Sequence, residues 1–207
     1  MTGFVSQYVA RQIGKTFSSA MVRDHINNCT FIPDPVTKEW AFQAWFFSSI
    51  RDSSKMVVTM RNKPKSKLTW RTRDPTYPWR VNEFCPSGFQ TIYPDSWMIP
   101  DVRQDGGFDA AMLVSETSTI RFLQLTTESS SGLKMAYFAD LVTRLRQRHY
   151  TVEDAEIFVV IPQGRSAQNF TNGPIEDSTL FTKLFDSWKQ CDVEQQVRIA
   201  MVPFLNV

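Results

Sequence analysis

The 207-residue sequence lacks the residue patterns of several common kinds of catalytic and metal site. It contains only two histidines and three cysteines, and no two cysteines form a C-x-x-C pair. Because a zinc site needs closely spaced Cys and His ligands, none is expected, and the scattered cysteines indicate reduced thiols. No G-x-x-x-x-G-K-[ST] loop and no nucleophile motif containing a histidine is present. NTP hydrolysis and Ser/His or Cys/His catalysis are therefore not expected.

The sequence also lacks a charge excess and a long apolar run. It has 23 basic and 21 acidic residues, for a net charge of +2, so only local clusters of charge can indicate a nucleic-acid partner. No run approaches the roughly 18 apolar residues that a membrane span needs. The N-terminus has no basic region followed by an apolar segment, which a secretory signal would show. We therefore predict an intracellular protein, in the nucleus or cytoplasm, without a membrane partner.

The hydrophobic pattern predicts the order of helices and strands. Helices are expected at 4–24 and 40–52, which together form an N-terminal helical part over 1–52. The elements expected after it are strands at 55–60, 68–73, 81–85, 90–93, 108–114 and 120–127, a helix at 133–149 after a serine-rich capping loop, a strand at 156–161, a helix at 177–190 and a strand at 197–204. This order predicts a single α/β domain over 1–207, with a mixed sheet flanked by helices.

A carboxylate and an amide are expected to meet on one β-hairpin. Asp109 opens one apolar run, Gln124 lies inside the next, and a short polar turn joins the runs. A short turn places two strands side by side and antiparallel. Carboxylate and amide oxygens suit a hard cation, so Asp109 and Gln124 are candidate catalytic residues and metal ligands. The alternatives are an Asp109 that accepts backbone N–H bonds and a buried Gln124 amide that is bonded to neighbouring backbone.

Two residues after this hairpin are candidates to complete an active site. Lys134 is a candidate catalytic residue, because a lysine can orient water and stabilise the charge that develops on phosphorus. Its alternative is a solvated lysine in the first turn of a helix. Glu128 directly follows the Gln124 strand and is the better-placed substitute acid.

A basic segment over residues 61–73 is the strongest local indication of nucleic-acid binding. It holds six basic residues and no acidic one. Basic side chains contact phosphates and aromatic rings stack on bases, as single-strand binding requires. The candidate nucleic-acid-binding residues are Lys63, Lys65, Lys67, Trp70, Arg71 and Arg73. The alternative is a solvated hairpin whose lysines protect an edge strand from aggregation.

The predicted order of elements resembles the restriction-endonuclease-like, or PD-(D/E)XK, core: a helix, a three-stranded meander, a helix and a further strand. Residues 93–134 resemble the C-terminal nuclease-like domain of trypanosome retrotransposon hot spot proteins and of Crinkler effectors. This resemblance rests on Pro100, Phe108-Asp109-Ala110, Leu123-Gln124-Leu125-Thr126-Thr127 and Leu133-Lys134. The resembled domains show a Gln-x-Thr strand, as this chain does at Gln124 and Thr126, whereas active PD-(D/E)XK nucleases carry Glu-x-Lys there. Gln43 stands where such domains often carry an acid on the first helix.

The resemblance implies a protein that interacts with DNA or RNA. Because the Glu and the Lys of the key strand are both missing, we expect a degenerate nuclease-like domain that acts as a binding module. One alternative is an active nuclease, or phosphodiesterase, with Mg²⁺ or Mn²⁺ as its cofactor. A further alternative is a module that binds a protein partner and no nucleic acid. No cofactor is expected for either kind of binding module.

Overall fold

A computed structural model of the chain describes residues 13–14, 16–28, 35–53, 55–71, 82–84, 92–100, 107–164, 169–189 and 192–204. At residues 55, 63–66, 71 and 82–84 it describes the backbone alone. The helices are α1 (Ser19–Asn28), α2 (Pro35–Asp52), α3 (Met135–Gln147), α4 (Ser178–Thr182), α5 (Asp186–Lys189) and α6 (Val193–Gln196). The strands are β1 (Lys55–Met60), β2 (Lys63–Arg71), β3 (Asn82–Phe84), β4 (Trp97–Pro100), β5 (Ala110–Val114), β6 (Thr119–Leu125), β7 (Ser130–Lys134), β8 (Asp154–Pro162), β9 (Thr171–Glu176) and β10 (Val197–Val202).

All the described strands except β7 and β9 form one mixed sheet, in the order β2-β1-β10-β8-β6-β5-β4-β3. β4, β5 and β6 are antiparallel neighbours and form a meander. After α3 the chain returns as β8, which pairs parallel to β6, and β10 pairs parallel to β8. The remaining strands, β7 and β9, form a separate parallel pair. The predicted α/β class with a mixed sheet is confirmed.

Each face of this sheet is covered by helices. Alternate residues of β5 point to opposite faces: Met112 belongs to the core beneath α1 and α2, and Leu113 belongs to the core beneath α3, α4 and α5. The α2 helix is apolar on several sides, and its segment from Ala41 to Ser48 is entirely buried. A helix that is hydrophobic nearly all round must be enclosed, and α2 is.

The sheet curls so that its two ends approach each other across the α2 face. Trp70 lies on the edge strand β2, and Trp97 lies on β4, near the opposite edge. Their ring centroids are nevertheless 6.0 Å apart, in an edge-to-face arrangement. Trp70 also contacts Phe158 of β8, at 5.2 Å between centroids. The concave face is therefore closed around a cluster of aromatic rings.

Several boundaries differ from those predicted. The predicted serine-rich capping loop is the strand β7, and α3 begins only at Met135, after an N-cap, Lys134, that makes no side-chain capping bond. Residues 63–67, predicted as a turn, belong to β2, and the turn itself is confined to Arg61 and Asn62. The predicted helix over 177–190 is broken into α4 and α5. The pairing of β7 with β9 explains the first difference, since it holds the serines extended.

The N-terminal helix and the proline-marked region also differ from the prediction. The described helix α1 begins at Ser19, because residues 17 and 18 are not helical, and residues 4–12 lie outside the described residues. Of the predicted strand 81–85, β3 is described, whereas residues 92 and 93 of the predicted strand 90–93 are not extended into a strand. β4 and β9 were not predicted. No helix among the described residues is both long and apolar enough to cross a membrane.

Candidate functional site

Asp109 and Gln124 lie directly across from each other on the hairpin, as the short turn predicted. The Asp109 N–H donates to the Leu123 carbonyl at 2.8 Å, and the next residue of β5, Ala110, is paired with Leu123. The antiparallel register therefore places Asp109 opposite Gln124. The Asp109 side chain also contacts β6, because its Oδ2 accepts a hydrogen bond from the Leu125 N–H at 2.8 Å. The predicted adjacency of these two residues is confirmed.

The Asp109 carboxylate is enclosed between the hairpin and α2. Its side chain is only 3% exposed. Its Oδ1 accepts a hydrogen bond from Nε2 of Gln43, at 3.5 Å, and Gln43 is itself fully buried. Position 43 thus places an amide donor against the carboxylate. This arrangement fits the alternative in which Asp109 accepts backbone and amide hydrogen bonds.

Gln124 uses its whole side-chain amide inside the protein. Its Nε2 donates to the carbonyls of Gly107, at 3.3 Å, and Gly132, at 3.1 Å. Its Oε1 accepts the Ser131 hydroxyl at 2.8 Å. Both N–H groups and the carbonyl oxygen therefore have partners, as a buried amide requires. Gln124 connects the segment that enters β5 to the small sheet formed by β7 and β9.

A cavity of about 410 Å³ opens at this end of the hairpin. Its charged lining residues are Glu39, Glu128, Lys134 and Glu176, and Gln124 and Thr126 line it from β6. Lys134 is half-buried, ends β7 and directly precedes the helix α3, so it does not lie in the first helical turn as the alternative for this residue expected. Gln124, Glu128 and Lys134 line this one cavity together.

Two of the charged lining residues were missed in the sequence. Glu39 is buried on α2, one helical turn before Gln43, so both side chains lie on the same face of the helix. That four-residue spacing was the signal by which Glu39 could have been found. Glu176 ends β9, and no pattern indicated that β9 pairs beside β7.

The side-chain oxygens of Asp109 and Gln124 are not arranged to bind Mg²⁺ or Mn²⁺. Such a site needs carboxylate oxygens that can turn toward the ion. Here both Asp109 oxygens accept protein hydrogen bonds, and the Gln124 oxygen accepts the Ser131 hydroxyl. No group of three or more His, Cys, Asp or Glu side chains that could hold a metal ion is found in the described part of the chain.

The basic segment lies at the edge of the large sheet. β2 is the terminal strand, and Lys67 and Thr69 are exposed on it. The predicted stacking role of Trp70 is wrong, because its side chain is 2% exposed and packs in the core beneath the curled sheet. The side chains of Lys63, Lys65 and Arg71 and the whole of Arg73 lie outside the described residues.

Comparison of the chain with family models, with curated proteins and with solved structures finds no match. The restriction-endonuclease-like resemblance therefore rests on the residues and the geometry described above.

Proposed function

We propose that the protein binds nucleic acid through a nuclease-like fold and does not cut it at the Asp109–Gln124 hairpin. The observation that carries this proposal is the fully engaged amide of Gln124. A metal ion could be bound only by Oε1, so it would compete with the Ser131 hydroxyl for that oxygen, while the two bonds donated by Nε2 hold the amide in place. Leaving buried polar groups unpaired costs about 1–3 kcal/mol each. The residue is thus better suited to holding the fold together than to binding a metal ion.

The order of elements around the hairpin supports a restriction-endonuclease-like origin. The helix α2 packs on the sheet, β1 to β3 follow it, and the β4-β5-β6 meander comes next; the chain then continues through β7 and α3 into β8, parallel to β6. With β1 to β3 and β7 as additions, this contains the helix, meander, helix and strand order of the resembled core. Asp109 directly precedes β5 and Gln124 lies on β6, so the two residues are neighbours at one end of this hairpin.

The exposed edge strand supports a nucleic-acid partner. Lys67 has no ion-pair partner among the described residues, and no acidic residue interrupts the sequence from Arg61 to Arg73. Basic side chains on an exposed strand attract phosphates through charge, and binding releases the counterions of the nucleic acid. The same lysines would also keep the edge from pairing with another chain, so the two roles are compatible.

An active nuclease is the second candidate, and one observation favours it. The cavity beside Gln124 places Glu39, Glu128 and Glu176 near Lys134. Carboxylates and a lysine are the residue types that metal-dependent phosphodiester cleavage uses. The nuclease candidate requires these acidic residues for cleavage, whereas the binding module has no reaction that needs them.

Binding is tested with single- and double-stranded DNA and RNA at increasing salt. We expect Lys67→Ala to weaken the affinity and to reduce the salt slope by roughly 0.7–0.9 per lost phosphate contact. Lys183→Ala is the matched control, because Lys183 is also exposed but directly follows α4, away from β2. A wild-type protein that binds none of these nucleic acids at low salt overturns the proposal and leaves the protein-interaction alternative.

Catalysis is tested by incubating labelled nucleic acid with the protein and either Mg²⁺ or Mn²⁺. We expect intact substrate with both ions. Cleavage that disappears in Glu39→Gln and Glu128→Gln, but persists in the exposed control Glu153→Gln, would overturn the non-catalytic proposal in favour of the nuclease.

A further inference from the structure

A second cavity lies at the opposite end of the β5–β6 hairpin, at the mouth of the curled sheet. Its volume is about 550 Å³, which is within the usual range of about 300–1,000 Å³ for ligand pockets. It is lined by residues of β2, β5, β6 and β8 and by the β5–β6 turn, among them Thr69, Met112, Val114, Thr117, Arg121 and Glu156. Along β6, Arg121 lies three residues from Gln124, about 10 Å away. Neither Asp109 nor Gln124 lines this cavity.

Arg121 is held in one orientation at this mouth. Its Nε and Nη2 donate to the same carboxylate oxygen of Glu156, at 2.9 and 2.6 Å. Its guanidinium carbon lies 5.9 Å from the ring centroid of Trp70 and 5.8 Å from that of Phe158, within cation–π range. The side chain is only 14% exposed. A donor held this rigidly loses little entropy when it binds a further acceptor.

The remaining donors of Arg121 indicate the chemistry of a ligand. Its Nη1 makes no hydrogen bond to any residue that the structure describes. A carbonyl oxygen is a suitable acceptor for it. Asp95, Glu116 and Glu156 also line the cavity, so a phosphate or carboxylate would meet repulsion. A neutral, planar ring that carries a carbonyl group suits these surroundings better than an anion does.

The cavity is adjacent to the basic strand. Thr69 lines the mouth, and Lys67 lies two residues before it on the same exposed edge of β2. A single-stranded nucleic acid whose phosphates follow β2 would therefore carry its bases past the opening. We propose that the mouth of the curled sheet accepts an unpaired nucleobase, whose carbonyl oxygen is bound by Arg121. This inference rests on the proposed nucleic-acid binding and names the site at which bases are contacted.

The test compares single-stranded oligothymidylate, in which every base carries carbonyl groups, with an abasic strand of equal length and charge, using fluorescence anisotropy. We expect wild type to prefer the base-bearing strand by about tenfold, as one well-placed base contact provides. Arg121→Lys should abolish the preference and leave the affinity for the abasic strand unchanged. Arg198→Lys is the matched control: Arg198 bonds the other Glu156 oxygen, at 2.7 Å, and lies over Phe158, but does not line the cavity.

A second pair of variants keeps the test valid if Arg121→Lys fails to fold. Thr117→Trp places a bulky ring in the exposed turn at the mouth, whereas Thr151→Trp places it at an exposed position outside the cavity. We expect only the former to remove the preference for bases. Equal affinity of wild type for the two strands, or a preference that survives in Thr117→Trp, overturns the base pocket but not nucleic-acid binding. Failure of wild type to bind either strand overturns both proposals.

Discussion

The Gln43 amide of α2 donates to the Asp109 carboxylate, and this contact joins the helical layer to the central hairpin across 66 residues of sequence. At 3.5 Å it is a long hydrogen bond, and the 2.8 Å bond from the Leu125 N–H to the other carboxylate oxygen is the stronger one. Asp109 therefore connects α2, β5 and β6. The residue that most resembles a metal ligand in the sequence has a structural role in the fold.

Replacing Asp109 should destabilise the fold. Asp109→Ala removes the acceptor of the buried Leu125 N–H, so we expect a loss of about 2–4 kcal/mol in unfolding free energy. Asp109→Asn keeps an acceptor oxygen and should cost less. The measurement is urea denaturation, with Asp24→Ala as the control because Asp24 is exposed on α1. Equal stability of Asp109→Ala and Asp24→Ala would contradict the structural role.

Restoring an acid at position 124 should also reduce stability. In Gln124→Glu a carboxylate replaces the donor that faces the carbonyls of Gly107 and Gly132, so we expect a loss of about 2–4 kcal/mol at neutral pH. Burial raises the pKa of the introduced carboxyl above its unfolded value. The loss should therefore shrink as the pH falls, because the protonated form again donates a hydrogen bond.

Thermal unfolding between pH 4 and pH 8 measures this effect. Gln147→Glu is the control, because Gln147 is exposed at the end of α3. A Gln124→Glu protein that is as stable as Gln147→Glu at pH 8 would mean that position 124 tolerates a charge, and it would strengthen the nuclease candidate.

The parts of the fold that follow from local pattern could be predicted from the sequence. The short turn between two apolar runs predicted that Asp109 and Gln124 lie opposite each other, and the continuous apolar run after α3 predicted the buried strand β8. The serines at 129–131 favoured a capping loop on local propensity, but pairing with β9 holds Ser130 and Ser131 in β7. That pairing joins segments about 40 residues apart in sequence, and no local pattern encodes it.

The same limit explains the errors at the candidate sites. Trp70 follows a basic run, which favoured an exposed stacking residue, but the curl of the sheet encloses it against Trp97. Sheet curvature depends on all the strands together, so it cannot be predicted from the residues around Trp70 alone. Glu39 could have been found from its spacing to Gln43, whereas Glu176 depends on the unpredicted β9.

An exposed ion pair on α5 gives a pH-dependent prediction. The hydrogen bond and charge of Lys189 lower the pKa of the Asp186 carboxyl. The stabilisation from this pair is present above the ordinary carboxyl pKa and is lost as the pH falls through the lowered one. In Lys189→Ala we expect the Asp186 pKa to rise to its ordinary value, measured by NMR titration, with Lys183→Ala as the control. Because both groups are largely exposed, no detectable change in overall stability is expected.

The small sheet formed by β7 and β9, beside the Gln124 cavity, depends on Gly173. A larger residue there would push the two strands apart. A Cβ on Gly173 would lie 2.8 Å from the Gly132 nitrogen and 2.9 Å from the Ser131 oxygen, both backbone atoms of β7. A Cβ on Gly132 would meet the Pro174 oxygen at 3.2 Å, a milder contact. We therefore expect Gly173→Ala to cost about 2–3 kcal/mol and Gly132→Ala about 1 kcal/mol.

Urea denaturation and amide hydrogen exchange test this order. In Gly173→Ala the amides of β7 and β9 should exchange faster, while those of the central β6–β8 pair keep their protection. Because Ser131 and Gly132 are hydrogen-bonded to the Gln124 amide, the side-chain N–H groups of Gln124 should also exchange faster. If Gly173→Ala matched wild type in both measurements, β7 and β9 would have to be farther apart than described, and the cavity lined by Lys134 and Glu176 would lose its wall.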